Sequence, residues 1–426
     1  MRKTIQRYEY GHLFIDEEGF TKGHWEAFVK LNTVHEGKYF EVLHNGLRFK
    51  QYVGVIQVDD ILVEILPKAD KDEDDNPKWQ GVLLSMLQAC GQLKADSHDS
   101  ANVSRQNLNL LEVYFEIYLR ELEKLQRLGL IKQYRKNTGN VKALKGKLEF
   151  SGNIRHNLVH KERFYTTHQV YDVDHQLHQV LNTALSIVSR FTKGTRLSNL
   201  CNRIEMSFPE VSKLMVTPTL LDKLKLNRKS AHYSYALELA RLIILNYSPD
   251  IKSGKEKMLS LLFDMNTLWE DYVLVKLREW NNKNKLGYTI HGQDSTTFIG
   301  SHTLRPDIVL EKDNQTIVID TKWKRPGNSA SVQDLRQMYT YCRFWNAKKA
   351  MLLYPGEKVK STAFRTFAAD DYHSINEKEI VSVDHQCRLG FVSVLGNDGV
   401  GLSDFIGKDV FELVLENSKQ NTIKKV

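Results

Sequence analysis

Cysteine is scarce in this chain. There are four in 426 residues, Cys90, Cys201, Cys342 and Cys387, far apart and with no CxxC pair. That spacing excludes a zinc ribbon and a disulfide framework, and it offers no ferredoxin-like arrangement for an iron–sulfur cluster. A reducing, cytoplasmic setting is the expectation. Long apolar runs are missing too: no eighteen consecutive apolar residues occur, so no membrane partner is expected. The first twenty residues mix acids with bases and lack an apolar core, so a secretory signal is not expected. No repeat recurs at a 20–50 residue period. Proline numbers only 8, and with 41% hydrophobic and 26% charged residues the composition is that of a soluble globular protein.

Acids are outnumbered by bases. The formal charge is +8 and the pI near 9.0. Lys and Arg in excess suit a polyanionic partner, because they displace condensed counterions from DNA or RNA. The length predicts two or three domains.

Three regions are expected. Residues 1–78 read as β-rich: Tyr52 to Val58 and Ile61 to Leu66 are β-branched runs joined by Asp59-Asp60, a hairpin pattern that Pro67 ends. Residues 68–78 (KADKDEDDNPK) read as an exposed charged loop. Residues 79–252 read as mainly helical. Val82, Leu83, Met86, Leu87 and Cys90 recur at helical spacing, as do Leu111, Tyr114, Phe115, Tyr118, Leu122 and Leu125, which predicts core-facing helices that pack together. Within this region, residues 131–168 hold nine Lys and Arg interleaved with Tyr134, Phe150, Phe164 and Tyr165. This suits either a nucleic-acid surface or a solvated basic loop with ordinary core aromatics. Residues 253–426 read helix, three strands, helix, strand, an α/β domain with a central mixed sheet. The fold class expected is therefore α+β and multidomain.

The chemistry concentrates in the last region. Leu304-Arg305-Pro306-Asp307-Ile308-Val309-Leu310 and Thr316-Ile317-Val318-Ile319-Asp320-Thr321-Lys322 read as two strands around a Lys312-Asp313-Asn314 turn. A hairpin brings Asp307, at the start of the first, near Asp320, at the end of the second. Side chains at i and i+2 share a face, so Asp320 and Lys322 project together and Thr321 oppositely. Aspartate is disfavoured in strands, and buried carboxylates without compensation are costly. A hard cation resolves the conflict: Mg²⁺ takes one or two carboxylates plus waters and phosphate oxygens, and Mn²⁺ is a substitute. Lys322 would then stabilise negative charge developing at a phosphate.

Two helices flank these strands in the sequence. Residues 258–280 predict a helix with a wide apolar stripe, interrupted by Glu270. Glu270 either binds metal directly, binds it through water, orients a ligand, or is an exposed acid on the helix flank. Residues 331–345 predict a second helix with Gln333, Gln337 and Tyr341 on one face. Gln337 and Tyr341 reach either the same site or a DNA phosphate; the plainer alternative is a capped amphipathic helix with a buried Tyr.

In this order and spacing the motifs resemble the PD-(D/E)xK nuclease superfamily, and within it the McrC family, the nuclease subunits of McrBC-type restriction systems. The resemblance rests most specifically on Phe263 to Asn266 with Leu268 to Val273, Arg305-Pro306-Asp307, Asp320-Thr321-Lys322 and Gln337-x-x-x-Tyr341. It rests more loosely on residues 53–68 and 144–150. It implies Asp307 and Asp320 as metal ligands, Glu270 as the helix acid of the metal site, Lys322 as the catalytic lysine, and Gln337 and Tyr341 as the motif shared with RecB-like nucleases. It implies a type IV restriction endonuclease subunit used in phage defence. The expected partners are modified DNA and an AAA+ GTPase of the McrB type, with residues 1–78 as a partner-binding region. The chain has no GxxxxGK[ST] loop, so nucleotide hydrolysis is expected from that partner. A RecB-like stand-alone repair nuclease and a non-catalytic regulatory subunit are the competing readings.

Overall fold

A computed structural model describes residues 3–67, 76–93, 109–249, 257–324, 326, 329–367, 371–373, 380–382, 385–396 and 401–416. The chain forms two compact units. One comprises residues 1–55, 60–107 and 262–426, so both ends of the chain share it; the other comprises residues 56–59 and 108–261. The architecture is mixed α+β with both parallel and antiparallel strand pairs.

In the first unit, Lys3–Tyr8 pairs in parallel with Ile61–Leu66. The expected turn forms, Asp59 taking φ 47° between Tyr52–Val58 and Ile61–Leu66. Every residue of Ile61–Leu66 is buried, which is why its apolar run is almost unbroken. Its one acid, Glu64, is compensated: the amides of Gln6 and Gln80 donate to it at 2.8 and 2.9 Å. The β-rich reading of residues 1–78 omits a helix, Lys22–Val34, whose Thr21 side chain caps the backbone N–H of His24. Of the predicted charged loop, residues 68–75 lie outside the described residues, and Lys78 falls inside the helix Asn76–Ala89.

The C-terminal sheet of this unit runs Thr289–Gly292, Ile308–Lys312, Gln315–Thr321, Lys349–Pro355, Gln386–Val392, Arg365–Thr366. Its first two pairings are antiparallel and the next two parallel. The helix Val332–Phe344 is the crossover between the parallel strands Gln315–Thr321 and Lys349–Pro355, packing Met338, Tyr341 and Cys342 against Val318, Ala350 and Leu352.

One prediction is corrected here. Residues 258–280 are not one helix: Lys257–Asp264 is a strand and the helix is Met265–Asn284. The Asp264 carboxylate starts the helix by accepting from the N–H groups of Asn266 and Thr267. Upstream, Met258-Leu259-Ser260-Leu261-Leu262 carries apolar residues on both faces of a strand, interrupted only by Ser260, and periodicity alone cannot separate such a short run from a helix. The order in the last region therefore begins with a strand.

In the second unit, the helices Leu110–Leu128, Gln176–Thr192, Ser198–Ser207 and Ser234–Leu245 pack together. The Tyr118 hydroxyl, buried, donates to the Leu181 carbonyl at 2.6 Å. The helices Asn76–Ala89 and Leu110–Leu128, expected to share a core, belong to different units. The first packs on Met265–Asn284 instead. The basic segment is not a loop. It forms an antiparallel sheet of Gln133–Val141, Phe164–Asp172 and Lys147–Leu148 with a short helix, Phe150–Asn157. Alternation along Gln133–Val141 leaves Tyr134 and Lys136 outward, and Tyr171, exposed on Phe164–Asp172, pairs with Tyr134, the two rings 4.7 Å apart. No helix among the described residues is long and apolar enough to cross a membrane.

Candidate active site

The hairpin predicted from Asp307 to Lys322 is present, and its turn explains its register. Asp313 and Asn314 take φ 48° and 58°, the pair of left-handed residues that a two-residue type I′ turn requires. That turn pairs Lys312 with Gln315 and, along the ladder, Ile308 with Ile319. One step further the register sets Asp307 opposite Asp320.

Each acid has a distinct hold. The Asp307 Oδ2 atom accepts from the Thr321 backbone N–H at 2.6 Å and from its hydroxyl at 2.9 Å. Asp320 is 1% exposed. Its Oδ1 accepts from the Gln337 amide at 3.4 Å, and its Oδ2 is 2.6 Å from Lys322 Nζ. The alternation that sets Asp320 and Lys322 on one face thus produces a close ion pair. Gln337 Nε2 also donates to the Tyr341 hydroxyl at 2.7 Å, and that hydroxyl donates to the Arg305 carbonyl at 3.1 Å. The helix face read as Gln-x-x-x-Tyr therefore ties Asp320 to the segment that leads into Asp307. Gln333, on the same predicted face, is exposed.

Glu270 is half-buried on the helix Met265–Asn284 rather than on an exposed flank, and its Oε1 accepts from Gln293 Nε2 at 2.7 Å. Burial, then the charge of Asp307, pushes its carboxyl up to about 7. Burial and the Asp307 charge push Asp320 up to about 6, with Lys322 pulling the other way. Burial also raises Asp307, against the Thr321 hydrogen bonds that favour its charge. Burial works against the Lys322 ammonium, but Asp320 outweighs it and the group is raised. One buried and two half-buried carboxylates, with Asp307 repelling both of the others and Asp320 beside an ammonium, is an arrangement typical of functional sites.

The donor set fits a hard divalent cation in kind, being carboxylate oxygens that one would discharge. Among the described residues no three acids, histidines or cysteines stand close enough together to grip a metal ion. Two carboxylates completed by water is the arrangement this geometry supports, and that is ordinary for Mg²⁺.

Sequence reasoning missed three participants. Thr321 was read only as pointing away from Asp320 and Lys322, yet its backbone N–H and its hydroxyl both donate to Asp307. Gln293 lies 23 residues from Glu270 and carries no local signal. Trp323 packs against Trp269, the rings tilted by 58° with centroids 5.4 Å apart, and donates to the buried Glu9 at 2.5 Å. The Asp-x-Lys run continuing into an aromatic was the only hint of it.

Comparisons with known proteins bear on the family and the fold. The chain is 22% identical over 275 residues to the type IV methyl-directed restriction enzyme EcoKMcrBC of Escherichia coli K12, covering 58% of this chain and 77% of that one. Its fold is similar to McrC from Thermococcus gammatolerans, solved bound to McrB AAA+ hexamers in a tetradecameric assembly. There the TM-score is 0.64 at 20% identity, over 97% of this chain and 100% of the other. A second structure of the Thermococcus gammatolerans McrBC complex matches with a TM-score of 0.50 at 23% identity, over 65% and 87% of the two chains. Residues 47–355, well over half of the sequence, match the family described as McrBC 5-methylcytosine restriction system component, and the chain belongs to that family as a subunit of the McrC type.

Proposed function

We propose that this chain is the DNA-cleaving subunit of a modification-dependent restriction system, a Mg²⁺-dependent endonuclease of the PD-(D/E)xK type that works with an AAA+ GTPase. The observation that carries this reading is the convergence of Asp307, Asp320 and Lys322 at one end of the mixed sheet, braced by Gln337 and Tyr341 and neighboured by Glu270.

Asp307 and Asp320 would hold the cation, with Glu270 acting through a water; Mn²⁺ would substitute. When bound there, the cation supplies charge at the scissile phosphate and lowers the pKa of a water. The remaining roles belong to the chain. Lys322 holds a fixed positive charge where negative charge develops, in a place too enclosed for water to screen it fully. Gln337 fixes the Asp320 carboxylate by its Oδ1, and Thr321 fixes Asp307 by its Oδ2, so neither acid must reorient during the reaction. Tyr341 holds the Arg305 backbone and so the approach to Asp307.

The partner and the substrate follow from the relatives. The McrC of Thermococcus gammatolerans is bound to McrB AAA+ hexamers, and this chain carries no phosphate-binding Gly-rich loop of its own. An AAA+ GTPase encoded beside this chain would therefore license cutting. DNA carrying methylcytosine is the substrate that the family description names.

The test is a cleavage assay on methylated and unmethylated DNA, with and without that GTPase, GTP and Mg²⁺. Cutting only when all are present supports the reading. Cutting by the chain alone with Mg²⁺ would point to a stand-alone nuclease, and calorimetry without any Mg²⁺ binding would point to a non-catalytic subunit.

A further inference from the structure

The segment following the strand Thr289–Gly292 bends sharply. Gln293 takes φ 52°, a left-handed conformation that a side chain longer than glycine rarely adopts. The bend occurs where the chain comes very close to the helix Met265–Asn284. A Cβ on Gly292 would lie 2.3 Å from Leu274 Cδ2, one turn along that helix from Glu270. The strained residue then makes two contacts, one to each of two site acids. Its backbone N–H donates to the Asp307 carbonyl at 2.8 Å. Its amide Nε2 donates to Glu270 Oε1 at 2.7 Å. The next residue, Asp294, accepts from Trp345 Nε1 at 2.8 Å, which anchors the bend from the other side. Strain kept at a residue that links two acids is what a positioning role requires, since a purely structural turn there would be more comfortable as glycine.

We propose that Gln293 is a positioning residue of this site: it holds the Glu270 carboxylate in fixed relation to Asp307, so that the two act on one bound cation. The proposal rests on the function proposed above. Lacking a charge, the amide leaves the site's negative charge intact for the cation while setting which Glu270 oxygen remains to face it. Outer partners of metal-binding carboxylates commonly matter 10- to 100-fold.

Two variants isolate the amide. Gln293→Gly and Gln293→Asn both keep the backbone N–H and both suit a left-handed φ, and neither can reach Glu270 as glutamine does. Three readouts are taken on the full chain: Tm, Mg²⁺ affinity by calorimetry, and DNA cleavage in complex with the AAA+ partner. Expected are a Tm no lower than that of the parent, Mg²⁺ binding weakened about 10- to 100-fold, and a similar loss in kcat with KM little changed. Combining Gln293→Gly with Glu270→Gln should add nothing to Glu270→Gln alone, because the two act as a unit. Unchanged Mg²⁺ affinity in both variants overturns the proposal, as does a Tm loss that accounts for the lost activity. If Glu270→Gln is impaired while Gln293→Gly is not, Gln293 is dismissed and the nuclease reading stands. If Asp320→Ala cuts normally, the nuclease reading itself fails, and the Mg²⁺ titration still decides the role of Gln293.

Discussion

Trp323 and Glu9, 314 residues apart in the sequence, share a buried hydrogen bond: the indole Nε1 donates to Oε1 at 2.5 Å. Trp323 follows Lys322 directly, and its ring lies against Trp269, which precedes Glu270. The start of the chain thus fixes the backbone on both sides of the site, within one compact unit.

Trp323→Phe keeps most of the ring and removes the donor. Taking a donor from a buried acceptor costs about 1–3 kcal/mol. A lower denaturation midpoint by circular dichroism is expected, with cleavage reduced because Lys322 loses its anchor. A variant as stable and as active as the parent would mean that the contact holds nothing in place.

The raised carboxyls give a signed pH dependence. Glu270 near 7 and Asp320 near 6 bind protons more tightly folded than unfolded. Their contribution to stability is full below the ordinary carboxylate range and is lost as pH rises through those values. The Tm of the metal-free chain is expected to fall between about pH 4 and about pH 7, and less steeply in Glu270→Gln. Mg²⁺ should flatten the fall, because it binds the deprotonated form. Identical profiles for parent and variant would contradict the assignment of Glu270.

The type I′ turn sets the register that faces Asp307 with Asp320. Asn314→Gly, at φ 58°, should be neutral or stabilise by up to about 1 kcal/mol, whereas Asn314→Val should cost about 1–2 kcal/mol. Urea denaturation of both variants distinguishes these; equal stability would mean that the turn is not what sets the pairing.

What could be read in advance follows from range. Asp307, Asp320 and Lys322 were legible because a two-residue turn and strand alternation are local rules, and they alone determine which side chains meet. Gln337 and Tyr341 were legible as one helix face for the same reason. The start of the helix carrying Glu270 was misread, because Met258 to Leu262, apolar but for Ser260, suits a buried strand as well. Gln293, Thr321 and Glu9 were invisible in their roles. Each acts through a partner brought near only by non-local pairing, and no spacing in the sequence marks it. The separation of Asn76–Ala89 from Leu110–Leu128 was hidden similarly, since two apolar stripes do not say which partner each one meets.

The most direct test is Asp320→Ala in the full chain, assayed with the AAA+ GTPase, GTP, Mg²⁺ and methylated DNA. The account predicts that cleavage is abolished while the fold, by circular dichroism, and binding to the partner are retained. Cutting at the parental rate by that complex would contradict it.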